Sequence, residues 1–405
     1  MTTPVRIGII REGKVPPDSR VPLVPEQAAE VAGTPEYDVA VQPSPGRCFD
    51  DAQYQKAGVV LSDDLSDRDV LLGVKEVPID QLIDGKTYFF FSHTHKQQAY
   101  NRGLLQAVLA KRIRLIDYEL LTDAQGRRLI AFGRFAGMVG AHHAMRAWGL
   151  RTGAYELQQM NAFYDYAAAK EAYAKTDWGD VRVVVTGSGR VGKGAVEVLQ
   201  DMGLREVSQA DFLSGEATGA VYCVAGVHGY VRRKDGAPFK KKDFYADPGA
   251  FENTFTPFAE RADVMVHGIF WDNDAPAFFE RADLAKDGWS IQVLADVTCD
   301  IAPVTSIPST LKPSTIADPY FGVDRVTFEE TDAFSREAIT MMTVDNLPNE
   351  LPRDASKSFG AMFIKHILPE LALPASDILD RATIARDGRL TERYSYLEDF
   401  VAGKA

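Results

Sequence analysis

The sequence predicts an α/β protein of two doubly wound Rossmann-like domains with a ligand cleft between them. Three observations predict it. Short apolar runs alternate with helical patterns along most of the 405 residues. A β-branched run, Val183-Val-Val-Thr186, feeds directly into Gly187-Ser-Gly189-Arg-Val-Gly192, and an amphipathic segment follows. Strand candidates fall on both sides of a long helical stretch that starts near Ala136. The expected domains are 1–140, completed by the tail 346–405, and 141–345.

In the first domain, Arg6 to Ile10 reads as a buried strand, followed by a loop, 11–20, rich in charge and proline. Val21-Pro-Leu-Val-Pro25-Glu26 opens a helix, because proline suits a first helical turn and glutamate its positive end. Further strands are expected at Tyr37–Val41, Ala57–Leu61, Asp69–Val74, Tyr88–His95, which would put His93 and His95 on one face, and Ile113–Ile116. Leu104, Leu105, Val108 and Leu109 carry the apolar face of a helix. Asp123-Ala-Gln-Gly126 is a turn. Ala136 to about Lys175 reads as largely helical and connects the domains.

The glycine turn then begins the second domain. Gly187 allows a sharp turn, Gly189 lets the backbone approach a pyrophosphate, and Gly192 lets helix and strand pack closely. The helix N-terminus favours the negative charge. Strands are expected at 181–186, 206–208, 264–269 and 292–297. Between them lies an irregular region, about Gly215 to Thr256, with basic runs Arg232-Arg-Lys234 and Lys240-Lys-Lys242. These read as a solvated hairpin and surface, with a flap over an anionic ligand as the alternative. Asp354 or Ser356 is expected to cap a helix running to about Leu371.

Composition narrows the class. The net charge of -12 opposes non-specific nucleic-acid binding. Cys48, Cys223 and Cys299 have no close pairing, which fits a reducing cytoplasm. The first ten residues show no signal-peptide pattern, and no apolar run reaches the ~18 residues of a membrane span.

Lys75 and His93 both fall just past strand ends, where parallel sheets bind ligands. A lysine in a cleft can lose its proton near neutrality, and histidine titrates there already. Arg20, Arg127 and Arg128 suit substrate carboxylates. His93-Thr-His95 shows no third ligand, so no metal is assigned. Asp296, Asp300 and Asp345 follow strand ends and suit a ribose hydroxyl, an ammonium group or a backbone turn.

Several segments carry a family pattern: Lys75-Glu76, Phe91-Ser-His93-Thr-His-Lys96-Gln-Gln98, Ile116-Asp-Tyr-Glu119 and Gln125-Gly-Arg127-Arg128-Leu-Ile-Ala-Phe132. Val266-His-Gly-Ile-Phe-Trp271, Ala295-Asp-Val-Thr-Cys-Asp300 and Val344-Asp-Asn-Leu-Pro348 continue it. Together they resemble the lysine-forming saccharopine dehydrogenases and the lysine-ketoglutarate reductase domain of bifunctional aminoadipic semialdehyde synthase. More distantly, the N-terminal half is similar to alanine dehydrogenase and the transhydrogenase NAD domain.

The resemblance implies an oxidoreductase that interconverts saccharopine with lysine and 2-oxoglutarate, using NAD or NADP. It implies Lys75 and His93 as catalytic residues, supported by Glu76, Lys96 and Glu119. Substrate contacts are implied for Arg20, Gln98, Arg128, Phe132, Thr298, Cys299 and Asp300. Cofactor contacts are implied for Arg127, Gly187, Gly189, Arg190, Gly192, Phe270, Val297, Val344, Asp345, Asn346 and Leu347. The second strand of the Rossmann unit reads as ending near Ser208, with Asp211 slightly late and Arg205 nearby. Ser208 is therefore the candidate reader of the ribose 2′ position, and both cofactors stay open. Val191 stands where one branch of the family has a disulfide cysteine, and the bifunctional enzyme's second catalytic domain has no counterpart. The alternatives are another opine or amino-acid dehydrogenase and a silent NAD-binding regulator. The sequence gives no oligomeric state.

Overall fold

The computed structural model describes residues 3–404, so Met1, Thr2 and Ala405 lie outside the described residues. The chain forms two compact units, Met1–Phe132 with Pro352–Ala405, and Gly133–Leu351. Among the described residues no helix is long and apolar enough to cross a membrane.

The first unit opens with strands β1 (Val5–Ile9), β2 (Tyr37–Val41), β3 (Val60–Leu61), β4 (Val70–Leu72), β5 (Thr87–Phe90) and β6 (Arg114–Asp117). All of these pair in parallel. Parallel sheets are covered on both faces, and Val70, Leu71 and Leu72 are all buried, as that requires. Helix α1 (Pro25–Ala32) starts on its proline, and α2 (Arg102–Ala110) buries Leu104, Leu105 and Val108. The chain runs from β1 outward to β2 and β3, then returns to β4 on the other side of β1. The sheet thus reverses direction between β1 and β4, the switch point where such sheets take ligands.

The second unit opens with α3 (Gly133–Thr152), which is buried on most sides. The expected helix to Lys175 is interrupted, because Gly153 turns the chain at a φ of 68° and a loop follows to residue 159. Strand β7 (Arg182–Thr186) leads into the glycine turn and α4 (Arg190–Asp201). Helices α3 and α4 touch backbone to backbone. A Cβ on Gly137 would stand 1.8 Å from the Val191 carbonyl, and one on Gly194 1.9 Å from that of Arg134. Only glycine fits such a crossing.

Then follow β8 (Arg205–Glu206), β9 (Val221–Ala225), the hairpin β10 (Val231–Arg233) and β11 (Phe251–Asn253), β12 (Val264–His267), β13 (Val293–Asp296), β14 (Tyr320–Asp324), β15 (Glu330–Thr331) and β16 (Ala338–Met342). The main sheet runs β15-β14-β16-β13-β12-β7-β9-β8. Strands β8, β9, β7, β12, β13 and β16 are parallel, with β14 and β15 added antiparallel at one edge. The strand beside β7 is therefore β9, and the two-residue β8 is the outer edge.

The chain returns to the first unit at α5 (Pro352–His366). Pro352 opens this helix, which puts Asp354 in its first turn and Ser356 inside it rather than at a cap. The Ser356 hydroxyl instead accepts the Val21 N–H at 2.9 Å, and the helix stops at His366. The hairpin β17 (Thr383–Arg386) and β18 (Arg389–Leu390) then pairs antiparallel with β6 and completes the first sheet.

Candidate active site

Four loops leave the carboxyl ends of β1, β4, β5 and β6 in the first unit, and each brings titratable side chains. After β1, Glu12 turns back and accepts the Val74 and Lys75 amide protons at 2.7 and 2.9 Å. Burial, then the charge of Asp18, pushes the Glu12 carboxyl up to about 8. This carboxyl group fixes the backbone that presents Lys75. Burial lowers the pKa of the Lys75 ammonium, and the charges of Arg20 and Lys14 lower it further. That is the setting in which lysine serves as a base near neutrality.

Glu76 joins two loops. One oxygen accepts from Lys14 Nζ at 2.7 Å, and the other lies 2.8 Å from His93 Nδ1. Burial alone would raise its pKa, but these hydrogen bonds outweigh burial and hold it at about 2. His93 itself sits at a φ of 53°, a left-handed backbone conformation uncommon for a non-glycine residue. Its ring stacks on Phe91 at 6.4 Å between centroids.

Asp117, at the end of β6, keeps His93 in that conformation. Fully buried, it accepts the N–H of Ser92 at 2.8 Å, the Ser92 hydroxyl at 2.6 Å and the N–H of His93 at 3.2 Å. His95 leans to the same region, 3.7 Å from Asp117 and 3.6 Å from Glu119. Thr94–Lys96 is a helical turn, so His93 and His95 do not share a strand face. The ligand atoms of His95, Asp117 and Glu119 come within 4.8 Å of one another, which supplies the third ligand absent from the sequence reading. Lys96 at 3.0 Å and Arg128 at 3.4 Å already neutralise Glu119, and Asp117 accepts from protein donors. The cluster's negative charge is met by the protein's own groups.

Arg20 is buried and spends its fork on Asp18, with contacts of 2.9 and 2.6 Å. Its guanidinium lies 4.3 Å above the Phe132 ring, which stacks on Phe359 of α5 at 4.7 Å. Arg128 is half-buried beside Glu119. Gln98 is exposed and accepts from the Tyr100 hydroxyl. Arg127 is exposed and pairs with Asp123 at 2.7 Å.

In the second unit, the glycine turn has the form a dinucleotide needs. Gly187 sits at a φ of 96°, and a Cβ on Gly192 would stand 2.0 Å from the Gly187 carbonyl. Gly189 is the N-cap of α4, and the space where its Cβ would stand is open. A pyrophosphate fits against that open backbone at the positive end of α4. Arg190 is exposed at the same end.

Asp296 is not a ribose ligand. It accepts the Thr298 and Cys299 amide protons and the Thr310 hydroxyl, and burial raises it to about 6. It holds the turn in which Cys299 adopts a φ of 56° and donates to the Thr343 carbonyl. The Thr298 hydroxyl accepts the Ile269 N–H at 3.1 Å and lies 3.0 Å from the Ile269 carbonyl. Val297 packs on Gly140 of α3, while Val344 and Leu347 are buried. Asp300 and Asn346 are half-buried, and Asp345 and Phe270 are exposed.

Ser208 stands apart from the dinucleotide turn. It caps the short helix Gln209–Ser214 by accepting the Asp211 N–H, and its hydroxyl donates to the Asp211 carboxylate. Its strand β8 lies one strand out from β7, because β9 takes the adjacent place. Strand β9 is the neighbour of β7, the strand that leads into the glycine turn, and periodicity alone could not have ordered β8 and β9.

Residues 8–139 match the family described as alanine dehydrogenase/PNT, N-terminal domain. The mitochondrial alpha-aminoadipic semialdehyde synthase of Mus musculus is 30% identical, over 94% of this chain and 46% of that one. This chain thus spans about half the length of that relative. The NAD(+), L-lysine-forming saccharopine dehydrogenase of Neurospora crassa is 28% identical, over 87% of each chain. An L-alanine dehydrogenase structure shares the fold with a TM-score of 0.66 at 17% identity, covering 99% of this chain and 100% of that one. The transhydrogenase structure from Sinorhizobium meliloti gives 0.61 at 14% identity, covering 95% and 100%. Over most of its length this chain is similar to the NAD(+), L-lysine-forming saccharopine dehydrogenases, and its fold is the two-domain Rossmann fold seen in the L-alanine dehydrogenase structure.

Proposed function

We propose that the chain is a nicotinamide-dependent oxidoreductase that interconverts saccharopine with lysine and 2-oxoglutarate. The observation that carries this reading is the pairing at the first sheet's switch point. A lysine with a lowered pKa adjoins Glu76, and Glu76 pairs with His93, so two proton carriers stand at the ends of the neighbouring strands β4 and β5. Imine chemistry needs both. The similarity to saccharopine dehydrogenases supports the substrate class.

In this reading Gly187, Gly189 and Gly192 hold the dinucleotide, which when bound accepts or returns a hydride at the amine-bearing carbon. Lys75 takes the proton from the secondary amine of saccharopine. His93 takes a proton from the water that adds to the resulting imine, and returns it to the departing lysine nitrogen. Glu76 orients the imidazole through its Nδ1. Arg128 meets a substrate carboxylate, and the Arg20–Phe132 stack walls the crevice.

The test is a nicotinamide absorbance assay with saccharopine and either cofactor. Saccharopine-dependent reduction is expected. Reduction driven by alanine but not by saccharopine would overturn the substrate assignment and favour another amino-acid dehydrogenase.

A further inference from the structure

The second unit contains a cavity of about 320 Å³ at the carboxyl ends of β7, β9 and β12. That size is within the range of small-molecule sites. Its walls come from Gly187 and Gly189 of the turn, Val227 and Tyr230 after β9, and Ile269 and Trp271 after β12. An apolar chamber that begins at the pyrophosphate turn suits a purine and its ribose. What decides the ribose is the charge at its rim. The stretch that follows β9, Ala225-Gly-Val-His-Gly-Tyr230, has no carboxylate, the group that accepts a free 2′-hydroxyl in NAD-specific Rossmann units.

The basic region between β9 and β12 supplies the opposite charge, and among the described residues Lys241 is the one of its lysines and arginines that lines the cavity. Arg232 pairs with Glu252, Arg233 with Asp235 and Asp243, and Lys234 donates to the Gly249 carbonyl. These three are satisfied surface groups. Lys241 is different. It lines the cavity, its ammonium rests 5.7 Å from the Tyr245 ring, and among the described residues it has no carboxylate partner. Asp272 also lines the cavity, but it accepts the Asp274 N–H in its own turn at 3.0 Å.

We propose that this cavity takes the adenosine end of the dinucleotide and that Lys241 pairs with a 2′-phosphate there, so that the chain prefers the 2′-phosphorylated cofactor. The proposal rests on the dinucleotide reading of the glycine turn and adds a choice of ligand to it.

Calorimetric titration of the full chain with adenosine 2′,5′-bisphosphate and with 5′-ADP tests it without turnover. The bisphosphate is expected to bind at least about tenfold more tightly, the scale of one charge-assisted contact, and the advantage should shrink with added salt. Lys241→Ala should remove that advantage, while Arg232→Ala, at a surface cation outside the cavity that pairs with Glu252, should leave it intact. Lys241 is exposed, so its loss does not threaten the fold, and circular dichroism of the variant checks this. Equal or tighter binding of 5′-ADP would overturn the 2′-phosphate assignment alone. An advantage that survives Lys241→Ala would remove Lys241 as its source. Failure of both nucleotides to bind would overturn the dinucleotide site itself.

Discussion

His93 Nδ1 lies 2.8 Å from one oxygen of Glu76, while Lys14 Nζ lies 2.7 Å from the other. Three loops are thereby tied through one carboxylate. Its pKa of about 2 against an ordinary 4.5 means that the folded state binds its proton less tightly than the unfolded chain. The stabilisation is fully present above pH 4.5 and is lost as pH falls toward 2. Glu76→Gln should therefore cost about 1–3 kcal/mol at pH 7. Denaturant midpoints should show this gap closing between pH 5 and pH 2.

Glu12 should act in the opposite sense. Its folded pKa of about 8 lies above its ordinary 4.5, so the folded chain holds a proton that the unfolded chain releases. Its contribution to stability is present below pH 4.5 and is lost as pH rises through 8. Glu12→Gln should flatten this slope in a series of melting curves.

Lys75→Met should lower turnover by about 10² or more, the typical worth of a general base, while nucleotide binding persists. The same change removes a cation that burial and its neighbours Arg20 and Lys14 disfavour. The melting temperature at neutral pH should therefore hold or rise by about 1–3 °C. A simple structural lysine would not separate the two readouts in this way.

The two arginines should separate as well. Arg20→Ala leaves Asp18 buried without its fork partner and should destabilise the chain by about 3 kcal/mol. Arg128 is partly exposed beside Glu119, so Arg128→Ala should raise KM for saccharopine with little change in melting. Equal effects of the two substitutions on melting would remove the distinction.

The glycine turn, Lys75 and His93 were legible because each depends on local order, a strand followed by its loop. The hub at Asp117 was not. It depends on β5 and β6 lying side by side, which puts Ser92 and Asp117 in contact across 25 positions of sequence. Glu12 escaped for the same reason, since its partners on the Val74–Lys75 backbone lie across the β1–β4 switch. The place of Ser208 in the sheet was not legible either, because the second strand in sequence, β8, is not the neighbour of β7 in space, where β9 lies instead.

In the proposed function Lys75 and His93 run imine chemistry on a lysine–oxoacid pair. The measurement closest to it follows oxidation of reduced nicotinamide with lysine plus 2-oxoglutarate, in the unsubstituted chain and in Lys75→Met and His93→Asn side by side. The account predicts oxidation only when both substrates are present, and its loss by about 10² or more in each variant. Undiminished oxidation in the variants, or oxidation with ammonia and pyruvate in place of lysine and 2-oxoglutarate, would contradict it.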